Sequence, residues 1–237
     1  MKPLVLFDVG AVLVKLDYGG FYTRAAAYAP VSPYEFKRGF SRAEMDALTG
    51  RISTAQFLGR VRELGLQGLP QDVLEEIIGY AWPEEVPGMV ELKRDVHLAG
   101  YPVGILSNMA EFAYDTINRK FPDVCEKYHP LYPAVYSFQI GSVKPEPPMY
   151  REVERVRNTY GLGQVILIED KASYLRTGIQ QFGWRGIWYT EHIDPAEAIK
   201  AVQESADAAL PPEHFRRADS VDEVIAALRE FGVHGQR

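Results

Sequence analysis

Cysteine is nearly absent from this sequence of 237 residues, which contains Cys125 and no second cysteine. A disulfide bond needs two cysteines, so cross-linking cannot stabilise the fold, and the same count excludes a zinc site built from two or four cysteines. We interpret Cys125 as a small, buried apolar side chain. The lack of disulfide bonds is compatible with a reducing compartment.

The sequence also lacks an excess of positive charge and any long hydrophobic run. Its 26 Lys and Arg are outnumbered by 32 Asp and Glu, so we expect no basic surface of the kind that binds nucleic-acid phosphates. The longest apolar runs, such as residues 4–7 and 165–168, are far shorter than the roughly 20 residues that span a bilayer, and the first residues show no signal-peptide pattern. We therefore expect a cytoplasmic protein without a nucleic-acid or membrane partner.

Short apolar runs alternate with amphipathic segments over most of the chain. The runs predict strands at residues 3–9, 101–106, 134–138, 165–168 and 186–189. Helical periodicity occupies the intervals, and Ser220 with Glu223 three residues later predicts a capping box on the last helix. This alternation predicts an α/β fold, a Rossmann-like doubly wound parallel sheet whose ligand crevice lies at the carboxyl ends of its strands.

The stretch that follows the first strand has a different character. It shows helical periodicity and no comparable apolar run, and Ser53 is a candidate helix cap within it. We predict that residues 16–87 form an α-helical cap inserted into a Rossmann-like core made of residues 1–15 and 88–237. In this arrangement the cap lies above the crevice of the sheet.

Polar side chains follow three of the predicted strands at the point where each strand ends, and a lysine lies in a later loop. These residues are Asp8, Ser107 and Asn108, Glu169 and Asp170, and Lys144. Because the carboxyl ends of parallel strands meet at one edge of the sheet, we expect these side chains to surround a single point. Carboxylates, a hydroxyl group, an amide and an ammonium group together predict a site for a phosphate and a hard divalent cation.

The chemistry of phosphoryl transfer explains why these residue types are needed together. Mg²⁺ binds one or two carboxylates, water and phosphate oxygens, and Asp8 and Asp170 fit that requirement. Lys144, Ser107 and Asn108 are suited to stabilise the charge on a transferring phosphoryl group. One oxygen of Asp8 is predicted to attack phosphorus, forming an aspartyl-phosphate that water then hydrolyses. Each residue alone has an ordinary structural interpretation, such as a turn aspartate or a helix cap.

The motifs FDVGAVL, LSN, KPE and IED, in this order along nearly the whole chain, resemble those of the haloacid dehalogenase-like (HAD) superfamily. The combination is specific, although each motif alone is weak. The resemblance implies a Rossmann-like core, a helical cap inserted after the first motif and a Mg²⁺ cofactor. It also implies, most often, the hydrolysis of small phosphorylated metabolites.

The same resemblance implies a role for each matching residue. Asp8 would be the nucleophile and a metal ligand, Gly10 would offer its backbone carbonyl to the metal, and Asp170 would be the second metal carboxylate. Glu169 would either bind the metal directly or support the residues that do. The residues that would hold the phosphoryl group during catalysis are Ser107, Asn108 and Lys144.

The sequence departs from the superfamily pattern at two positions. Gly10 stands where such phosphatases usually carry a second Asp that protonates the leaving group, and Lys171 and Tyr174 alter the late motif. Loss of a positioned proton donor costs roughly 10²–10⁴-fold in rate, so we expect a preference for acidic leaving groups, or a proton supplied through water or the cap. Two alternatives stay open, a dehalogenase and a weakly catalytic or non-catalytic protein that binds a phosphorylated ligand.

Three further stretches have less definite interpretations. Residues 191–214 are predicted to form a helix and a surface loop, and residues 128–136 to form a packed loop, a pocket wall or the contact of a homodimer. Large side chains in the predicted cap are interpreted as the core of a helical bundle, without indicating which of them face the crevice. They are Phe21, Tyr22, Tyr28, Phe36, Phe40 and Met45.

Overall fold

A computed structural model describes residues 1–191 and 210–235, which form a parallel β-sheet flanked by helices. The strands run in the spatial order β3-β2-β1-β4-β5-β6, and every neighbouring pair is parallel. Their bounds are β1 (Leu4–Phe7), β2 (Val103–Ser107), β3 (Ala134–Tyr136), β4 (Val165–Glu169), β5 (Arg185–Tyr189) and β6 (Phe215–Ala218). The predicted α/β class and Rossmann-like sheet are therefore confirmed.

The central strands are apolar throughout because helices cover both faces of the sheet. All four residues of β1 are buried, and so are all five of β4. Val5 lies opposite Val103 of β2 on one side and Ile166 of β4 on the other. A strand buried on both faces has no polar face to present, which explains its continuous apolar run.

Four helices lie between β1 and β2 in the stretch predicted as the cap: α1 (Tyr18–Ala26), α2 (Pro33–Leu48), α3 (Thr54–Glu63) and α4 (Gln71–Gly79). Two begin with reciprocal capping boxes, in which Ser32 pairs with Glu35 and Ser53 pairs with Gln56. Phe40 packs at the centre of this bundle with its ring 4.8 Å from Phe21 and 5.5 Å from Phe57. The exact cap boundaries at 16–87 stay a prediction.

The remaining helices flank the sheet and connect its strands. They are α5 (Met89–Leu98), α6 (Glu111–Lys120), α7 (Pro122–Cys125), α8 (Ser137–Ile140), α9 (Pro147–Thr159), α10 (Ala172–Phe182) and α11 (Val221–Glu230). None of the helices in the described ranges is long and apolar enough to cross a membrane.

The helix α6 of the core contacts the cap at several points. The rings of Phe57 in α3 and Phe112 in α6 stack in parallel with centroids 3.8 Å apart. Beside them Thr54 Oγ1 donates a hydrogen bond of 2.8 Å to Glu111, and Lys120 Nζ donates to the carbonyl oxygens of Gly79 and Trp82. These contacts fix the position of the cap over the edge of the sheet.

Three details differ from the sequence prediction. The strand predicted at residues 134–138 ends at Tyr136, because Ser137 turns the chain by exchanging hydrogen bonds with the backbone of Met109 and begins α8. Strand β6 was missed because it is a polar edge strand with the sequence FRRA, whereas the helix predicted nearby falls largely on residues 192–209, outside the described residues. Ser220 caps α11, but the carboxylate of Glu223 accepts from the backbone of Asp219, so the box is only half formed.

Candidate active site

The carboxyl ends of β1, β2 and β4 open into a cavity of about 540 Å³ that the cap covers. Asp8 directly follows β1, Ser107 is the last residue of β2, and Glu169 is the last residue of β4. Asp8, Ser107, Asn108, Lys144 and Asp170 all line this cavity, which is of a size typical for small-molecule sites. The fold thus brings these predicted site residues together.

Lys144 lies at the bottom of the cavity and is completely buried. Its Nζ donates hydrogen bonds of 2.5 Å to Glu169 Oε2 and 2.9 Å to the carbonyl oxygen of Leu106, and lies 3.0 Å from Asp8 Oδ1. Burial opposes the charge of this lysine, but the carboxylates of Asp8 and Glu169 outweigh burial and raise its pKa. Lys144 is therefore a permanent cation beside the predicted nucleophile.

Asp8, Glu169 and Asp170 form a compact carboxylate cluster. Each offers an oxygen, and these oxygens all lie within 4.8 Å of one another. Burial, together with the negative charge of Asp8, raises the pKa of Glu169, and burial also raises the pKa of Asp170. Three carboxylates so close together face one buried lysine, and this excess of negative charge favours another cation.

The cluster meets the chemical requirements of a Mg²⁺ site. Its donors are all oxygens, and Asp8 Oδ1 is a buried oxygen to which no described residue donates a hydrogen bond, although Lys144 Nζ is nearby. Asp8 Oδ1 is paired with the Lys144 ammonium, and the negative charge that remains on the three clustered carboxylates is of the kind that a hard divalent cation offsets. The residues present therefore fit a hard divalent cation, with Asp8, Asp170 and Glu169 as candidate ligands.

Asn108 is held by the loop that carries Lys144. Its Oδ1 accepts a hydrogen bond of 2.6 Å from the backbone N–H of Lys144, and its Nδ2 donates 3.0 Å to the carbonyl oxygen of the same residue. Its Nδ2 also lies 3.4 Å from the hydroxyl of Tyr174. Asn108 thus positions Lys144, and direct contact of Asn108 or the buried Ser107 with a phosphoryl group stays a prediction.

The two departures from the superfamily pattern also lie at this cavity. Gly10 lines it, and a Cβ atom placed there would meet only the flexible side chain of Leu16, at 3.3 Å. Lys171 lines it as well and is exposed. Its Nζ lies 5.3 Å from the ring of Tyr174; partial desolvation opposes its charge, but Tyr174 and Asp170 outweigh it and raise its pKa.

The cap side of the cavity is formed by residues of α1 and α2. Among them, Tyr22 and Met45 are large cap side chains named above, whereas Tyr18, Lys37 and Glu44 were not predicted as site residues. The hydroxyl of Tyr18 donates a hydrogen bond of 2.8 Å to Glu44 Oε1.

The other large side chains of the cap lie elsewhere. Phe21, Phe36 and Phe40 are fully buried inside the bundle, as expected for its core. Tyr28 is 56% exposed and does not line the cavity. On α2 the residues that line the cavity share a helical spacing, yet only the packing of the bundle shows which face of the helix is turned toward the sheet.

No protein-family model matches this sequence, and no curated protein matches it. Several solved structures, however, are similar to it. A HAD family enzyme from Bacteroides thetaiotaomicron in complex with magnesium and inorganic phosphate is 18% identical, with a TM-score of 0.59, covering 84% of this chain and 99% of its own. A predicted HAD-like family hydrolase from Porphyromonas gingivalis is 18% identical, with a TM-score of 0.65, covering 86% of this chain and 98% of its own.

An L-2-haloacid dehalogenase from Xanthobacter autotrophicus, with chloropropionic acid covalently bound, is also similar. It is 17% identical, has a TM-score of 0.58, and covers 97% of this chain and 99% of its own. All three similarities extend over most of both chains. Sequence identities of 17% and 18% establish a shared fold and do not determine the reaction. The chain therefore has the fold of the HAD-family enzymes.

Proposed function

We propose that this chain is a Mg²⁺-dependent HAD-like hydrolase that removes the phosphate of a small phosphorylated metabolite through an aspartyl-phosphate at Asp8. The observation that carries the proposal is the buried cluster of Asp8, Glu169 and Asp170 around Lys144 at the bottom of a covered cavity. Such a cluster provides a nucleophile, a cation site and a fixed positive charge at one point.

The residues divide the reaction between them. Asp8 attacks phosphorus with a carboxylate oxygen, and Lys144 neutralises charge on the transferring phosphoryl group from a fixed position. Asn108 keeps Lys144 in place through the hydrogen bonds to its backbone. A bound Mg²⁺ would be held by Asp8, Asp170 and Glu169, and would offset the negative charge of the phosphate. The cap excludes bulk water from the cavity.

A second candidate reaction is dehalogenation, in which a carboxylate displaces halide from carbon. Gly10 favours it, because halide leaves without a proton and needs no acid at that position. The carboxylate cluster favours phosphate transfer, because a nucleophile on neutral carbon gains nothing from two further acids beside it. We therefore place phosphate hydrolysis first.

Phosphate release from a broad panel of phosphate monoesters, with and without Mg²⁺, tests the proposal. We expect Mg²⁺-dependent release that falls at least about 10⁴-fold in Asp8→Asn, which keeps the shape of the side chain but not the nucleophile. Asp46→Asn is the matched control, because Asp46 pairs with Arg60 on the cap surface. Its activity should be unchanged.

Three other results would contradict the proposal. Activity that survives Asp8→Asn would remove the nucleophile. Chloride release from 2-chloropropionate without metal, in the absence of phosphate release, would establish the dehalogenase. A Mg²⁺-dependent thermal shift with phosphate but no turnover of any ester would indicate a non-catalytic binding protein.

A further inference from the structure

The cavity contains a carboxyl group that the reaction above does not use. Of the described residues that line it, three carry carboxyl groups, namely Asp8, Asp170 and Glu44. The first two belong to the carboxylate cluster, whereas Glu44 lies on the opposite side of the cavity, on α2 of the cap. Glu44 thus offers a carboxyl group to the same cavity from the side opposite the cluster.

The surroundings of Glu44 favour an acid that exchanges its proton near neutrality. Burial raises the pKa of Glu44 to about 7, and the hydrogen bond from Tyr18 together with the charge of Lys171 limits the increase. Tyr22 and Lys37 are the other titratable groups that line the cavity from α1 and α2, and Tyr174 lines it from α10. A general acid is most effective when its pKa lies close to the working pH.

The position of Gly10 creates a need for such a group. A phosphate ester of an ordinary alcohol leaves as an alkoxide, which requires a proton, and residue 10 has no side chain to supply one. We propose that Glu44 of the cap is the catalytic acid and base toward the leaving group and that Tyr18 is its positioning residue. This inference rests on the proposed phosphatase function and adds the source of the proton.

The proton balance closes over the two halves of the reaction. As an Asp8 oxygen bonds to phosphorus, the phosphorus–oxygen bond to the alcohol breaks, and the leaving oxygen takes the proton of Glu44. In the second half, the Glu44 carboxylate accepts a proton from water while the water oxygen bonds to phosphorus. The bond between phosphorus and Asp8 then breaks, which regenerates the Asp8 carboxylate and protonated Glu44.

The rival role for Glu44 is binding, in which the carboxylate accepts a hydrogen bond from a substrate hydroxyl group. A binding residue affects good and poor leaving groups of similar shape alike, and mainly through KM. A proton donor affects poor leaving groups far more, and through kcat. The two roles therefore predict different results for the same variant.

The decisive experiment compares Glu44→Gln with the wild type on 4-nitrophenyl phosphate, which has an acidic leaving group, and on alkyl phosphates such as glycerol 1-phosphate. We expect kcat and kcat/KM on the alkyl esters to fall about 10²–10⁴-fold. On 4-nitrophenyl phosphate we expect kcat/KM, which reports only the steps up to release of the leaving group, to fall less than about 10-fold. Glu63→Gln is the control, because Glu63 is exposed on α3 and lies outside the cavity. Glu63→Gln should change the hydrolysis rate of neither the alkyl phosphates nor 4-nitrophenyl phosphate.

The pH profile gives a second, independent test. Alkyl-ester hydrolysis in the wild type should decline above about pH 7, as Glu44 loses its proton. Tyr18→Phe removes a hydrogen bond that stabilises the charged carboxylate, so it should raise the pKa of Glu44 and move this decline to higher pH. A ¹³C NMR titration of the Glu carboxyl groups should show the same displacement without turnover, in a resonance that Glu44→Gln deletes.

Several outcomes would overturn the inference and leave the phosphatase intact. They are equal losses on both ester classes, a loss confined to KM, a wild type that turns over only 4-nitrophenyl phosphate, or a Tyr18→Phe profile that does not move. If no ester releases phosphate, the proposed function itself fails, and the two failures are thus distinguishable.

Discussion

The two sides of the cavity are built by different means. The sheet side consists of side chains at strand ends, where Lys144 is completely buried and is bonded to Glu169, also completely buried. The cap side consists of side chains from one face of α1 and α2, where Met45 is 49% exposed and Lys37 is exposed. Backbone connectivity thus positions the carboxylates and Lys144 of the sheet side, whereas helix packing positions the residues of the cap side.

This difference has an energetic consequence. Charges buried at the sheet side are tolerated only as a set, because removing one partner leaves the others uncompensated. On the cap side Lys37 is exposed and Glu44 is only partly buried, so changing either of them should cost little stability. Substitutions on the sheet side should therefore cost more stability than substitutions on the cap side.

Replacing a lysine on each side should reveal the largest contrast. Lys144→Met leaves the carboxylates of Asp8 and Glu169 without their cation and should lower the free energy of unfolding by about 3–5 kcal/mol at pH 8 without Mg²⁺. Lys37→Met, on the exposed surface of α2, should change it by less than about 0.5 kcal/mol. Urea unfolding of both variants measures the difference.

The contrast should also depend on pH. The pKa values of Glu169 and Asp170 are raised, chiefly by burial, so lowering the pH protonates these groups and reduces the charge that Lys144 compensates. The penalty of Lys144→Met should therefore shrink as the pH falls from 8 to 5. Equal penalties for the two lysine variants would contradict the proposed division of the cavity.

Binding of Mg²⁺ should stabilise the sheet side by a smaller amount. At 100 times its Kd, a cation that binds only the folded state adds about 2.7 kcal/mol. Because the folded protein binds protons at Glu169 and Asp170 more tightly than the unfolded chain does, the metal-free protein loses stability as the pH rises through their raised pKa values. The effect of Mg²⁺ should therefore be larger at pH 8 than at pH 6.

Thermal unfolding with increasing Mg²⁺ measures this effect. Asp170→Asn removes one of the candidate ligands and should abolish most of the shift, whereas Asp46→Asn in the cap should leave the shift unchanged. A shift that is identical in both variants would place the cation elsewhere.

The sheet side was predictable from the sequence because the geometry of a parallel sheet is fixed. Once β1, β2 and β4 are recognised by their apolar runs, Asp8, Ser107 and Asp170 must lie along one edge. The cluster of Lys144 with Glu169 follows only in part, since the sequence does not show that the Asn108 side chain bonds both the backbone N–H and the carbonyl oxygen of Lys144. That contact depends on the conformation of the loop rather than on a periodic pattern.

The cap side was not predictable for a different reason. Helical periodicity in α2 places Glu44 one turn after Phe40, at the border of the buried face, but it does not show what lies opposite that border. That is decided by contacts between distant parts of the chain, such as the stacking of Phe57 on Phe112. Strand β6 was missed because an edge strand with two arginines has no apolar run.

Restoring the missing acid on the sheet side should compensate for losing the proposed acid on the cap side. A side chain at Gly10 meets only Leu16, and the backbone there does not require positive φ, so Gly10→Asp should fold. Added to Glu44→Gln, it should increase kcat on alkyl phosphates about 10-fold, or about 1.4 kcal/mol in barrier height. Steady-state kinetics of the single and double variants measure the gain.

The rescue should be specific for the leaving group. Gly10→Asn in the same background has a side chain of the same shape but supplies no exchangeable acid, so it should not increase the rate. The gain in kcat/KM should also be absent with 4-nitrophenyl phosphate, whose leaving group needs no help from an acid. An equal gain from Asp and Asn would show that residue 10 acts by shape and not by proton transfer.

The smallest expected effect is a gain in stability on the cap side. The pKa of Glu44 is raised to about 7 from an ordinary value of 4.5, so the folded state resists ionisation of this carboxyl group, and its contribution to stability is lost as the pH rises between these values. Glu44→Gln stays neutral and should be about 1 kcal/mol more stable than the wild type at pH 8. This is less than the full pKa shift implies, because the side chain is partly exposed.

Urea unfolding of the wild type and the variant measures this difference in stability, which should vanish below about pH 4.5. The control Glu63→Gln should match the wild type at both pH values. A Glu44→Gln variant that is less stable than the wild type at pH 8 would show that the carboxylate stabilises the cap, and the contrast between a costly sheet side and an adaptable cap side would then be lost.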